Sequence, residues 1–252
     1  MRVACVEWPE RLEPDSEAFE RVCAEISEAA PDVLVTNEMP FGVWLADQPA
    51  FDRKAAQVSV DLHVRGLEAL VNLGMPLVLS SRPVSAGEKL ANEAFALTKG
   101  QYRPLHRKCW FPAEPGWHED AWFAPGDGTF EIADIDGLRV GVLLCTELMF
   151  NEHARAYGRA GADLIIAPRA TGNTAMWRTA CTMAAYVSGA YVVSSNRSGR
   201  CGNAVFAGNG LAIAPDGNLI GMTTADNPLQ VFDLDPQRAQ AQKREYPCYI
   251  RE

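Results

Sequence analysis

Short apolar runs recur along the chain, each followed by a longer stretch in which apolar residues return every three or four positions. Val3 to Val6 is the first run. Pro14 and Asp15 then open a segment with Phe19, Val22, Cys23 and Ile26 on one helical face, closed before Pro31. Asp32 to Thr36 is strand-like again. A helix is predicted from about Val58 to Leu73, with Val60, Val64, Leu67 and Val71 on its apolar face; Gly74 ends it and Pro76 to Ser80 reads as a strand. Unbroken apolar runs this short indicate strands covered on both faces.

The pattern then changes. Glu93 to Thr98 and Tyr102 to His106 read as a hairpin turning at Lys99, Gly100 and Gln101. Trp110 to Asp127 is rich in aromatics, acids, Pro and Gly, the composition of a structured loop that carries either recognition surface or cover for a core edge. Val140 to Leu144 is a strand, Asn151 is placed to cap a helix with Ala154, Tyr157 and Ala160 at helical spacing, Gly161 ends it, and Leu164 to Ala167 is apolar. Ala175 to Ser188 reads as a helix with Trp177, Cys181 and Ala184 on one side and Gly189 as its stop. Tyr191 to Ser195, Ala204 to Phe206, Leu211 to Ala214, Leu219 to Met222 and Val231 to Leu234 are short strands. Alternating helices and antiparallel pairs predict an α/β protein with mixed sheets layered by helices, two sheets face to face.

With 252 residues the chain can bury a full core, and one domain spanning 1–252, with a polar tail from about 235, is the expectation. The net charge of −9, with Lys and Arg scattered, argues against a nucleic-acid or anionic-membrane surface. The opening MRVACVEWPE meets a charge and a proline too early for a secretory signal, and no apolar run is long enough to span a membrane, so a cytoplasmic location is expected.

Candidate chemistry gathers at strand ends. Cys145 lies where a strand gives way to a helix, beside the unpaired N–H groups of the following turn, a usual place for ligands and nucleophiles in α/β folds. Free cysteine is equally a small buried hydrophobe, and the chain has seven. Cys5, Cys23, Cys109, Cys181, Cys201 and Cys248 read as such, and no CxxC pair favours a zinc or redox site. Position alone leaves both readings of Cys145 open. Glu38 follows the run Asp32 to Thr36, and a carboxylate there requires a partner if it is buried; a solvated loop acid is the commoner fate of glutamate. Lys108 follows His106 and Arg107 at a third strand end. A serine hydrolase is disfavoured because no GxSxG elbow occurs, and His63, His106, His118 and His153 show no triad pattern. Gly208, Asn209 and Gly210 lack the third glycine of a nucleotide fingerprint.

Glu, Lys and Cys at three strand ends, in that order, resemble the nitrilase superfamily of carbon-nitrogen hydrolases. VLVTNEMPFG resembles the family's run ending in Pro-Glu, with Asn37 in place of the proline. HRKCWFP, followed by EPGWHEDAWFAPGD, resembles its lysine segment. GVLLCTELMFNE resembles its cysteine elbow, with an acid two residues past the thiol. Asn92, Glu93 and Ala94, and SSNRSG from Ser194 to Gly199, also match, so the likeness runs from Arg2 to about Pro247.

The resemblance implies a four-layer αββα sandwich, subunits pairing as a homodimer or higher homo-oligomer, no metal and no organic cofactor. It implies cleavage of nonpeptide C–N bonds in small amides or N-carbamoyl compounds, with a nitrile substrate or a catalytically silent binding member as alternatives. Cys145 would be the nucleophile, Glu38 its base, and Lys108 with the Thr146 backbone N–H the oxyanion partners. Glu119 would orient Lys108 or the substrate, and Trp117, Arg169 and Asn196 are candidate substrate contacts. Thr146 in place of a tryptophan after the cysteine separates the chain from nitrilases proper and points to the amidase and carbamoylase branches.

Overall fold

A computed structural model describes residues 1–172 and 175–250. Two six-stranded sheets dominate. The first runs, in spatial order, Leu229–Asp233, Arg2–Val6, Val33–Val35, Leu77–Ala86, Lys89–Thr98, Gln101–Arg107; the second runs Leu219–Met222, Leu211–Ile213, Tyr191–Ser194, Leu164–Ile166, Leu138–Val142, Ala133–Ile135. In each, three central strands are parallel and the flanking ones antiparallel. The apolar side chains of the parallel strands point to both faces because both are covered. Val33, Val35, Leu77 and Leu79 meet Val140, Val142, Leu164 and Val193 between the sheets. Leu34 and Val78 pack outward against Phe19, Val22, Ile26 and Leu70 of the helices Glu17–Ala29 and Arg53–Asn72. Ile165 and Val192 pack outward against Ala154, Tyr157, Cys181 and Ala184 of the helices Asn151–Ala160 and Ala175–Ser188. The layers are therefore αββα, as the resemblance implied.

Most boundaries fall within one or two residues of the sequence pattern, and the differences have identifiable causes. The helix Arg53–Asn72 starts earlier than predicted because Asp52 caps it, accepting from the N–H groups of Lys54 and Ala55. Its buried face is only partly the predicted one: Val60 and Leu67 pack against the core as expected. Val64 and Val71 are 42% and 39% exposed, while Ala56, Ser59, Leu62, His63, Gly66 and Leu70 face inward. Gly66 belongs there because any Cβ would run into the Phe41 ring. Asn151 is the first helical residue rather than the cap, which is Phe150 and contributes no side-chain bond. The strand after Pro76 extends to Ala86 and pairs along its length with Lys89–Thr98. Ser198–Cys201 and Ala204–Ala207 form a separate two-stranded ribbon. The tail predicted as merely polar contains a helix, Pro236–Gln242, capped by Asp235 and burying Ala239 against the inter-sheet core. Among the described residues no helix is long and apolar enough to cross a membrane.

Candidate active site

The parallel strands all point their carboxyl ends at one edge of the sandwich, and the charged residues of the sequence meet there. Glu38 is three residues past Val35, Lys108 one past Arg107, and Cys145 three past Val142. Glu119 opens a single helical turn, Glu119–Trp122, in the aromatic loop. Lys108 Nζ lies 2.9 Å from Glu38 Oε1 and 2.5 Å from Glu119 Oε2, and all three side chains are fully buried. One polar atom from each of Glu38, Glu119 and Cys145 lies within 4.8 Å of the others. Such a trio can hold a metal ion in principle; here the Lys108 ammonium already bonds both carboxylates and supplies the positive charge.

Each acid spends one oxygen on Lys108. The other oxygens, Glu38 Oε2 and Glu119 Oε1, are buried and find no partner among the described residues. An unsatisfied buried carboxylate oxygen costs on the order of 1–3 kcal/mol, so two side by side mark a place where donors arrive from outside the chain. Asn92 fixes the orientation of Glu38 by donating from Nδ2 to Oε1 at 2.7 Å. Burial pushes the Cys145 thiol strongly up, with Glu38 and Glu119 adding to the effect and Lys108 and the Ala170 N–H opposing it. At rest Cys145 therefore carries its proton as a thiol. Burial likewise raises Glu119 from 4.5 to about 7, with Glu38 adding and Lys108 opposing. Lys108 is held well above its ordinary value: burial works against the charge, and Glu119, Glu38 and Cys145 more than offset it.

The backbone here is constrained. Cys145 has φ +52° and Met39, next to Glu38, has φ +41°, left-handed conformations that cost non-glycine residues energy and occur where a fold imposes them. Thr146 follows Cys145 in the first turn of the short 3₁₀ helix Cys145–Met149, where backbone N–H groups lack intrahelical partners. The Glu38 loop is tied down from three sides. Met39 N–H donates to Ser81 Oγ at 3.0 Å and Phe41 N–H to His63 Nε2 at 3.3 Å. Arg197 donates to the carbonyls of Met39 and Gly42 and pairs with Glu10.

The other sequence candidates divide. Trp117 joins the apolar cluster over this edge with Trp44, Trp122 and Phe206, and its indole N–H donates to the Ala170 carbonyl at 2.8 Å. Arg169 and Asn196 serve the scaffold with their side chains. The Arg169 guanidinium bonds Ser194 Oγ, Thr171 Oγ1 and the Asn209 carbonyl and lines a separate cavity of about 290 Å³ with Trp177 and Met222. Asn196 holds Thr171 and the Gly208 carbonyl with both ends of its amide. Sequence reasoning gave no catalytic or binding role to Asn92, Ala170 or His106: Asn92 is one of two buried polar residues, with Glu93, in an otherwise largely apolar strand, and the contacts of the other two are visible only in three dimensions.

The carbon-nitrogen hydrolase family model matches residues 3–244. An (R)-stereoselective amidase from a Pseudomonas species is 31% identical over 206 residues, covering 76% of this chain and 70% of that protein. The N-carbamoylputrescine amidase of Arabidopsis thaliana is 27% identical over 250 residues, covering 89% and 83%. A carbon-nitrogen hydrolase from Helicobacter pylori G27 superposes with a TM-score of 0.87 at 18% identity, covering 99% of this chain and 94% of that one. With the family model matched almost end to end, the chain belongs to the carbon-nitrogen hydrolase family.

Proposed function

We propose that the protein hydrolyses the C–N bond of a small linear amide or N-carbamoyl compound through a Cys145 thioester. The observation that carries this reading is the pair of unpartnered carboxylate oxygens, Glu38 Oε2 and Glu119 Oε1, on either side of the Lys108 ammonium and beside a protonated thiol. A thiol so far above neutrality attacks only with a base at hand. Glu38 takes the thiol proton as Sγ bonds the acyl carbon, and the carbonyl π electrons move to oxygen. Lys108 and the Thr146 N–H hold that oxyanion. Its collapse breaks the C–N bond, and the proton on Glu38 goes to the departing nitrogen. Water then loses a proton to the same carboxylate as it attacks the thioester, and that proton returns to sulfur. Glu119 Oε1 accepts an N–H from the substrate while Oε2 keeps Lys108 aligned.

Thr146 after the cysteine, and amidase names among the relatives, favour amides and carbamoyl compounds over nitriles. Trp117 and its aromatic neighbours form the roof against which the acyl group packs. We also place the enzyme in the cytoplasm as a homo-oligomer; Met176, Met183 and Tyr186, exposed on the outer helix Ala175–Ser188, support pairing through that face, and light scattering tests it.

The deciding experiment is ammonia release from primary amides, N-carbamoyl amino acids, N-carbamoyl amines and aryl nitriles, run beside Cys145→Ala. Release from the amide or carbamoyl class, lost in the variant, is expected. Turnover of nitriles alone overturns the substrate class, and activity retained by a clean Cys145→Ala preparation overturns the mechanism.

A further inference from the structure

A second buried acid lies two residues beyond the nucleophile. Glu147 is fully buried, and each of its oxygens accepts a backbone N–H: Oε2 takes that of Leu144 at 2.8 Å and Oε1 that of Cys109 at 2.7 Å. Leu144 immediately precedes Cys145, and Cys109 immediately follows Lys108. One carboxylate therefore clamps the turn that carries the thiol to the strand end that carries the ammonium, although Lys108 and Cys145 lie 37 positions apart in the sequence.

The clamp is itself held. His106 Nε2 lies 3.0 and 2.9 Å from the two oxygens of Glu147. A carboxylate offers only acceptors, and both oxygens already receive backbone N–H groups, so the hydrogen in this contact belongs to Nε2. The imidazole also packs on Phe130 at 4.8 Å between centroids, and Phe130 stacks in turn on His153 at 3.8 Å and Trp110 at 5.1 Å. His153 lies in the helix that follows the nucleophile turn, and Trp110 lies two residues past Lys108. His106 thus meets both catalytic segments through polar contacts on one side and aromatic contacts on the other. Neither His106 nor Glu147 bonds Lys108, Glu38 or Glu119 through its side chain among the described residues, so neither is placed to exchange protons with the substrate.

We propose that His106, acting through Glu147, is a positioning residue that fixes the Cys145 turn against the Lys108 strand end. The inference rests on the thiol-hydrolase reading of the site. Misplacing reacting groups by about 1 Å costs on the order of 10²-fold in rate without any loss of binding.

The test compares His106→Phe, which keeps the aromatic packing and loses the donor, with His106→Gln, whose amide N–H reaches the same carboxylate. The first readout is the rate of Cys145 alkylation by iodoacetamide, mapped by peptide mass spectrometry; the second is kcat and KM on the best amide. In His106→Phe we expect alkylation and kcat to fall together by roughly 10- to 100-fold with KM within about twofold, and His106→Gln to restore both to within about threefold. Wild-type rates in His106→Phe, equal losses in both variants, or a change confined to KM would overturn the proposal. If His106→Phe does not fold, His106→Leu takes its place, and loss of the fold in both also overturns it, since alignment rather than folding is the role assigned. Alkylation needs no substrate, so a protein that turns over no amide yet shows the alkylation difference would sink the proposed function and leave the positioning role standing.

Discussion

The middle of each central strand and its carboxyl end are equally buried, and they are built from opposite chemistry. Val33 to Val35 is wholly apolar and packed on both faces; Asn37 and Glu38, just beyond, are as inaccessible but polar. The same change occurs from Val142 to Cys145 and Glu147, from Ile166 to Arg169, and from Val193 to Asn196 and Arg197. Mid-strand burial stabilises by removing apolar surface from water, about 25 cal/mol per Å². At the strand ends burial costs free energy, offset only where each charge finds its partner. The comparison teaches that burial alone says nothing of purpose, whereas a buried polar group with an unspent hydrogen bond does.

The largest effect that would test this contrast is removal of the cation that reconciles the two acids. Lys108→Met should lower kcat by on the order of 10³-fold or more and, by leaving Glu38 and Glu119 uncompensated, cost about 3–5 kcal/mol in urea unfolding. Stability unchanged by that substitution would mean that the strand-end charges are not a coupled unit. Mid-strand, Ile166→Ala should cost about 2–5 kcal/mol through the cavity it leaves, while kcat per folded molecule stays within about threefold of wild type; an equal loss of kcat would erase the distinction between the regions.

Two smaller effects carry opposite signs in pH. Glu119 is raised from 4.5 to about 7, so the folded protein keeps a proton that the unfolded chain releases. Its contribution to stability is complete below pH 4.5 and is lost as pH rises through 7. His63 is lowered from 6.5 to about 4, chiefly by burial, and stays neutral to accept the Phe41 N–H. Its contribution is present above pH 6.5 and is lost as pH falls through 4. Urea midpoints measured from pH 4 to 8 should therefore lose their alkaline decline in Glu119→Gln and part of their acid decline in His63→Gln, the latter change being the smaller. Curves parallel to wild type in both variants would remove the titration argument at each site.

Much of this was legible in the sequence, for a physical reason. Strands buried on both faces must be apolar without interruption, so Val33–Val35 and Leu164–Ile166 were readable nearly to the residue and Leu138–Val142 to within two residues at each end, and with them the turning points that carry Glu38 and Cys145. Lys108 was placed by the hairpin before it. What stayed hidden depended on partners distant in sequence. The helix Arg53–Asn72 buries Ser59, His63 and Gly66 because the Glu38 loop presents an N–H and an aromatic ring to it, and no apolar periodicity could signal that face. Ser198–Cys201 became a strand through pairing with Ala204–Ala207, not through its own residues. Arg169 looked like a ligand-binding cation, yet its donors meet Ser194, Thr171 and Asn209.

The enclosure of Cys145 also bears on how the protein withstands oxidants. Peroxide attacks the thiolate rather than the thiol, and it must reach the sulfur to do so. With 2% of its surface exposed and burial holding its proton on, Cys145 is shielded on both counts. Cys23, Cys109 and Cys248 are only partly buried and meet a dissolved oxidant first. Enclosure at the strand end thereby keeps this sulfur reduced, and oxidative damage to the outer cysteines is expected to precede any at Cys145.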